Sequence, residues 1–245
     1  MIIENKKILV TGVAVGGIGE AIMRKLSNQN NEVLISSLNM INDRFPGINN
    51  IAADCTTEEG IRKVKKWVQT KIGSIDILIN NIGGSLASKN PLEVDASFFN
   101  RVINVNLTSA FLLTRMAAEL MIEGGAIVHI VSSAAYEPSL DKMPYGVAKA
   151  GLVYLIRTMA RVLAPKIRIN GVSPTYVFTD RHNRELEKKS MDNGTTIEVL
   201  SSKLISKQLL NYPLLPKDLN EMIEFAATTP LMTGKILDAS LGRIF

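Results

Sequence analysis

Cysteine is nearly absent from this 245-residue chain, where Cys55 stands alone. No intramolecular disulfide can form, and the expected setting is a reducing one, the cytoplasm. Histidine is as scarce, with only His129 and His182. Neither falls in a Cys, His or acid cluster with metal-ligand spacing, so no metal site is expected. No apolar run is long and unbroken enough to span a bilayer, so no membrane association is expected. The first residues, Met1-Ile2-Ile3-Glu4-Asn5-Lys6-Lys7, lack the layout of a signal peptide. A Gly-x-Ser-x-Gly element is missing, which argues against an α/β-hydrolase. Dense basic runs are missing too. The 28 Lys and Arg exceed the 23 Asp and Glu for a net charge of +5, which suits anionic ligands. Their scatter offers no basic face, and no nucleic-acid partner is expected.

What is present is an alternation of short apolar runs with helix-patterned stretches. Ile8-Leu9-Val10 leads into a glycine-rich turn and an amphipathic stretch from about Gly19 to Asn28. Glu32 to Ser36 and Ile48 to Ala53 read as the next strands. Thr56-Thr57-Glu58-Glu59 opens a helix to about Thr70, with Thr56 as cap and Glu59 completing a capping box. Ile75 to Ile79 is a strand, Ala96 to Met121 one long helix, and Ala126 to Val131 a strand. A helix from Tyr145 to Leu163, a strand from Ile167 to Val172, a helix from Leu219 to Ala227 and a strand from Lys235 to Ala239 follow. Continuous β-branched and aliphatic strands separated by helices imply a parallel sheet covered on both faces. The expected fold class is therefore α/β, a doubly wound, Rossmann-like parallel sheet in three α/β/α layers, with ligands at the carboxyl ends of the strands. No repeat or linker divides the chain, and a single domain over 1–245 is expected. The polar segment from about Arg181 to Tyr212, with Asn193-Gly194, breaks the alternation. It reads as a substrate lid, the alternative being an ordinary surface helix pair.

Thr11-Gly12-Val13-Ala14-Val15-Gly16-Gly17-Ile18-Gly19 lies between the first strand and the first helix. Glycines permit a tight turn and close backbone approach, while the helix N-terminus offers free N–H groups and a positive dipole end to a pyrophosphate. Gly12, Gly17, Ile18 and Gly19 are the expected contacts. Asp54, with Cys55 beside it, closes the third strand. Its carboxylate can accept from an adenine amino group or serve the turn into the helix that follows.

Tyr145-Gly146-Val147-Ala148-Lys149 sets a phenol and an ammonium one helical turn apart on one face. A tyrosine with a pKa near ~10 is a poor base at neutral pH, and a neighbouring lysine favours its phenolate. Together with other elements, this pair resembles the single-domain short-chain dehydrogenase/reductase family over nearly the whole chain. The glycine turn matches Thr11 to Gly19. The family's Asn-Asn-Ala-Gly element is similar to Asn80-Asn81-Ile82-Gly83, and its helix asparagine to Asn106 in Val105-Asn106-Leu107-Thr108. Its strand-end serine corresponds to Ser132, thirteen positions before Tyr145. Asn170-Gly171-Val172-Ser173-Pro174, then Val177 and Thr179, resembles the stretch that meets the nicotinamide, and Thr233 to Asp238 the closing strand.

The resemblance implies a hydride transfer between a nicotinamide cofactor and a carbonyl or secondary alcohol. Tyr145 would move the hydroxyl proton. Lys149 would lower its pKa and bind the ribose hydroxyls, Ser132 would hold the substrate oxygen, and Asn106 would maintain a water-linked proton relay. Ser133 takes the place of Ser132 if the strand register slips. Asn81, Ile82, Gly83, Pro174, Val177 and Thr179 would line the cofactor. The substrate pocket is expected from Gly84 to Ser88, Ala134 to Leu140 and Tyr176 to Asn211. In the family, the helix holding Phe98-Phe99 and Phe111-Leu112-Leu113 and the Tyr145 helix often pack into oligomers, so a homodimer or homotetramer is expected.

Three departures from the family pattern stand out. Gly17-Ile18-Gly19 aligned with the family's ending leaves four residues after Gly12 instead of three, a one-residue bulge; the alternative register through Gly16 puts Ile18 where a glycine belongs. Related enoyl reductases share a lengthened turn but space tyrosine and lysine seven apart, a place held here by Leu152. The second strand ends in Ser36-Ser37-Leu38-Asn39, with neither acid nor base. NADP and NAD both remain open, with Ser37 and the missing carboxylate tilting the balance to NADP. The stretch from Asn39 to Ala53 looks short for a full helix. Thr175 stands where the family has glycine, and a β-branched residue resists positive φ, so a rearranged loop is expected there. The reading from a different class is a catalytically silent nucleotide-sensing or scaffold protein.

Overall fold

The computed structural model describes residues 2–41 and 44–243. Seven strands form one sheet in the order β3-β2-β1-β4-β5-β6-β7, and every adjacent pair is parallel. They are β1 (Lys7–Thr11), β2 (Glu32–Ser37), β3 (Asn49–Ala52), β4 (Ile75–Asn80), β5 (Met121–Ile130), β6 (Ile167–Pro174) and β7 (Ile236–Ala239). The two central strands, β1 and β4, read burial almost without a break, because helices cover both faces.

One helical layer holds α2 (Glu58–Lys71), α3 (Ala96–Ile103), α4 (Ser109–Leu120) and α5 (Met143–Leu163). Its core joins Val64 and Val68 to Leu113, Met116, Leu152 and Ile156 over Leu9, Leu78 and Ile127. The other layer holds α1 (Ile18–Ser27) and α8 (Asn220–Thr228), whose Ile22, Leu26, Ile223 and Ala226 pack on Val10, Ile35 and Val128. Each of these Val, Leu, Ile and Met side chains contributes about 1.5–3 kcal/mol on burial. Chain order reverses between β1 and β4, so a crevice opens at their carboxyl ends.

Several boundaries differ from the sequence reading. The expected helix from Ala96 to Met121 is two helices joined by a wide π-type turn over Asn104–Thr108. The turn centres on Asn106, whose amide donates to Val102 O at 2.9 Å and so draws on a carbonyl of the preceding helix. The cap of α2 is Thr57, whose hydroxyl accepts from Gly60 N at 3.0 Å. Thr56 instead donates to Asp54 Oδ1, from its backbone at 2.9 Å and its hydroxyl at 2.6 Å. Gly60 is the reason: a Cβ there would lie 1.9 Å from Asp54 O, so the strand end presses on the helix start. With glycine three places after the cap, no capping box forms. Between β2 and β3 no α-helix occurs among the described residues, and Asn42 and Asp43 lie outside them. The polar segment holds α6 (Asp180–Asp192) and α7 (Ile197–Ile205). No described helix is long and apolar enough to cross a membrane.

Candidate active site

At the carboxyl end of β1, Gly12 takes φ +71° and a Cβ would sit 2.6 Å from Ile82 N. Only glycine lets β1 turn this close to the strand beside it. Asn81 donates to Gly12 O at 2.8 Å and pins the two turns together. The extra residue is absorbed before the helix: Gly17 N bonds Ala14 O at 3.1 Å, and Gly16 adopts φ +68°. Gly17 is the N-cap of α1 without a side-chain cap, so the N–H groups of the first turn stay available to an anion. Two carboxylates flank this turn. Glu20 accepts from Gly16 N at 2.7 Å, and Asp180 lies so close that a Cβ on Gly16 would meet its carboxylate at 2.0–2.4 Å.

On the adenosine side, the Ser37 hydroxyl donates to Asn39 O at 2.5 Å, so its proton is spent within the turn. Asp54 Oδ1 holds Thr56, the turn role anticipated as one of its two options. Burial pushes the Cys55 thiol up to about 11. Among the described residues lining this end, from Ser37 to Ile41 and Ala53 to Thr56, Asp54 alone carries charge.

The chemical end forms where β5 stops. Ser132 caps a short 3-10 turn, its hydroxyl accepting from Ala134 N at 3.2 Å. Tyr145 and Lys149 sit in the first two turns of α5. Lys149 is 2% exposed, donates to Ile130 O at 2.7 Å, and lies 5.6 Å from the Tyr145 ring centroid. Burial alone brings its ammonium down to about 7. Burial pushes the Tyr145 phenol up, opposed by a hydrogen bond with Ser132 and by the positive charge of Arg181. Lys149, expected to lower this phenol, stands within one helical turn of it, and Ser132 and Arg181 add to that effect.

Asn106 is fully buried. Its Oδ1 accepts from Gly84 N and its amide donates to Gly84 O, both at 2.9 Å. A Cβ on Gly83 would lie 2.7 Å from Asn106 Oδ1 and 3.1 Å from Lys149 Nζ, so glycine there brings the two side chains together. A cleft of about 1030 Å³ joins both ends. Gly12, Gly17, Ile18, Ser37, Asp54, Cys55, Asn81, Ile82, Gly83, Ser132, Tyr145, Lys149, Pro174, Val177 and Thr179 all line it. Of the residues anticipated from sequence, Gly19 and Asn106 do not; both are buried behind it. Ser133 faces a second cavity of about 600 Å³ that shares Ser132, Tyr145, Thr175, Arg181 and His182 with the cleft. Thr175 is buried without positive φ and accepts from Arg243 at 3.4 Å, so its β-branched side chain sits there without backbone strain.

Two features escaped the sequence reading. One is a buried polar chain beneath the crevice: Thr11 donates to Asn80 at 2.8 Å, Asn80 meets His129 Nδ1 at 3.0 Å, and Thr114 meets His129 Nε2 at 2.9 Å. Thr114 donates onward to Ala110 O at 2.8 Å, so His129 is the Nε2–H tautomer, and burial holds its pKa at about 3. Nothing in a lone strand histidine signals this. The other is Arg181, at the start of α6, which lines both cavities; no motif marks it.

A parallel sheet with a glycine turn and a helix N-terminus at its switch point defines a doubly wound protein of the dinucleotide-binding class. The sequence matches the description "short chain dehydrogenase" over residues 6–190, and the chain belongs to that family of oxidoreductases. A mitochondrial borneol dehydrogenase from Lavandula x intermedia is 35% identical over 187 residues, 72% of this chain and 71% of that one. A 3-oxoacyl-(acyl-carrier-protein) reductase from Buchnera aphidicola is 32% identical over 98% of this chain and 95% of its own. The ligand-free aldohexose dehydrogenase of Thermoplasma acidophilum superposes with a TM-score of 0.89 at 23% identity, covering 98% of this chain and 94% of that one, a likeness of fold.

Proposed function

We propose that the protein is a nicotinamide-dependent dehydrogenase or reductase that interconverts a carbonyl and a secondary alcohol. The observation that carries this reading is the convergence of Ser132, Tyr145 and Lys149 on one cleft that also holds the glycine turn. The residues fit a dinucleotide. Gly12 and Gly16 shape the turn, the first-turn N–H groups of α1 would hold the pyrophosphate, and Asn81, Ile82, Gly83, Pro174, Val177 and Thr179, which line the cleft, would hold the nicotinamide half. When bound, the cofactor supplies or accepts the hydride.

The chain's own residues handle the proton. Ser132 donates to the substrate oxygen and strengthens that bond as negative charge develops. Tyr145, a phenol held above its ordinary pKa, is protonated at neutral pH and gives its proton to the same oxygen in the reducing direction. Lys149, brought down to about 7, would hold the cofactor's ribose and replenish that proton through water, with Asn106 fixing the backbone beside it. In the oxidising direction, Arg181 and the cofactor's positive ring favour the phenolate.

We further propose a single domain in which α6 and α7 act as a lid, since both line the second cavity. A homodimer or homotetramer through α4 and α5 is supported by Phe111, Val147 and Tyr154, apolar side chains left exposed there. A lone buried cysteine fits a cytoplasmic setting. The Ser37 hydroxyl is used within the turn and no cation lines the ribose end among the described residues, so the tilt to NADP rests on the missing carboxylate alone; NAD and NADP should differ in kcat/KM by less than about tenfold, one charged contact's worth. The test titrates both cofactors and then screens carbonyls and alcohols. Turnover on any of them supports the reading, and tight cofactor binding with no turnover points to the silent sensor.

A further inference from the structure

We propose that the substrate carries an anionic group, a carboxylate or phosphate, which Arg181 binds where the cleft meets the second cavity. This rests on the reading above and names the substrate class of that same site. Among the described residues, Arg181 is the one cation that lines both cavities; Lys149, deeply buried, and Arg101 line the cleft alone. Its guanidinium is close enough to Gly84 that a Cβ there would lie 2.7 Å from it, and its charge is felt at Tyr145. A group bound to it therefore sits beside the reacting oxygen.

Arg181 is held in place without being neutralised. His182 Nδ1 donates to Val177 O at 2.7 Å, so its other nitrogen, Nε2, is a bare acceptor and takes a hydrogen bond from Arg181 at 2.9 Å. A neutral imidazole orients the guanidinium and leaves its charge intact. Among the described residues, the sole carboxylate paired with it is Glu185, at 3.6 Å and with both side chains about half exposed, at 49% and 45%. A pair that long and that wet yields readily to a bidentate carboxylate.

The wider cavity has the same sign. Six cations line it against three carboxylates, a net +3. Glu137 is already bound by Arg243 at 2.5 Å, and Asp141 by Ser139 at 2.7 Å. Lys142 and Lys189 act on Asp141, whereas among the described residues Lys203 and Lys207 form no ion pair with a lining acid, so the net positive mouth concentrates anions. A neutral alcohol would gain nothing from this arrangement, whereas an oxo acid or phosphorylated carbonyl compound would.

The experiment compares matched pairs, acetoacetate with acetoacetamide and levulinate with levulinamide, in wild type, Arg181→Gln, Arg181→Lys and Lys203→Gln/Lys207→Gln. Wild type should prefer each acid to its amide by about 30-fold or more in kcat/KM, the effect of a charge-assisted bond. Arg181→Gln should bring the ratio to within about threefold of unity, Arg181→Lys should restore part of it, and the rim variant should keep most of it. Calorimetry with oxidised cofactor gives a second readout, because a ketone then has no hydride to receive and only binding is measured. The same acid-over-amide ratio should appear there. Equal binding of acid and amide by wild type, or a preference untouched by Arg181→Gln, overturns the proposal. Absent turnover with the binding preference intact would instead overturn the dehydrogenase reading and leave the anion site standing.

Discussion

Replacing Lys149 by methionine should stabilise the protein below neutral pH while abolishing proton transfer in the cleft. Burial lowers the ammonium from 10.5 to about 7, a gap worth about 5 kcal/mol against the unfolded chain. Methionine has similar length and no charge, so it escapes that penalty. It also leaves Ile130 O without the donor 2.7 Å away, a loss of about 1–3 kcal/mol. The net gain should be about 2–4 kcal/mol at about pH 6, where wild-type Lys149 is protonated both folded and unfolded. Between about pH 7 and 10 the unfolded wild type holds one more proton than the folded, so wild-type stability climbs by about 1.4 kcal/mol per pH step and the variant's advantage shrinks. Near the ordinary lysine pKa only the lost hydrogen bond remains, and the sign reverses. His129 is neutral when folded, its pKa held at about 3, so below about pH 6.5 it adds slope to both proteins almost alike and drops out of the difference. Urea unfolding across this range, followed by circular dichroism, measures the difference directly. A variant-minus-wild-type stability that is flat with pH would refute the reasoning, because it would mean that Lys149 titrates alike in both states.

Asn106→Leu removes three buried hydrogen bonds, to Gly84 N, Gly84 O and Val102 O. It should destabilise by about 2–4 kcal/mol in denaturant titrations, with more than tenfold lower turnover as the Gly83–Gly84 backbone loosens. Asp180→Asn takes a carboxylate away from the Gly16 turn and should tighten dinucleotide binding about two- to fivefold by fluorescence titration; weaker binding would mean that Asp180 supports the turn. Thr57→Ala should lower stability by about 1 kcal/mol through loss of the α2 cap, and Thr56→Ala by less than half of that, since Thr56 only braces Asp54.

The sheet was legible because its strands are buried on both faces. Ile8-Leu9-Val10 and Ile75 to Ile79 need no alternation to be read, and the glycine turn after the first of them shows where chain order reverses. The candidate catalytic cluster was legible by motif, since Tyr145 and Lys149 lie on one helix and Ser132 follows the strand before it. What was hidden depends on contacts between distant segments. The cap moved from Thr56 to Thr57 because Gly60 packs on Asp54, a steric fact that no capping pattern contains. The helix at Asn106 widened because its side chain reaches the Gly84 backbone. Arg181 escaped notice since an arginine at the head of a polar helix reads as solvated surface until the cavities on either side are seen. The same holds for Ser37, whose hydroxyl looked free for a phosphate and is turned back on Asn39.

The central claim is that Tyr145 moves the proton to or from the substrate oxygen in this cleft. Its most direct measurement is nicotinamide absorbance during turnover by wild type and Tyr145→Phe, with dinucleotide affinity titrated for both. Tyr145→Phe should lose about a thousandfold or more in kcat while the cofactor Kd stays within about twofold. Equal turnover by the two proteins would contradict the claim.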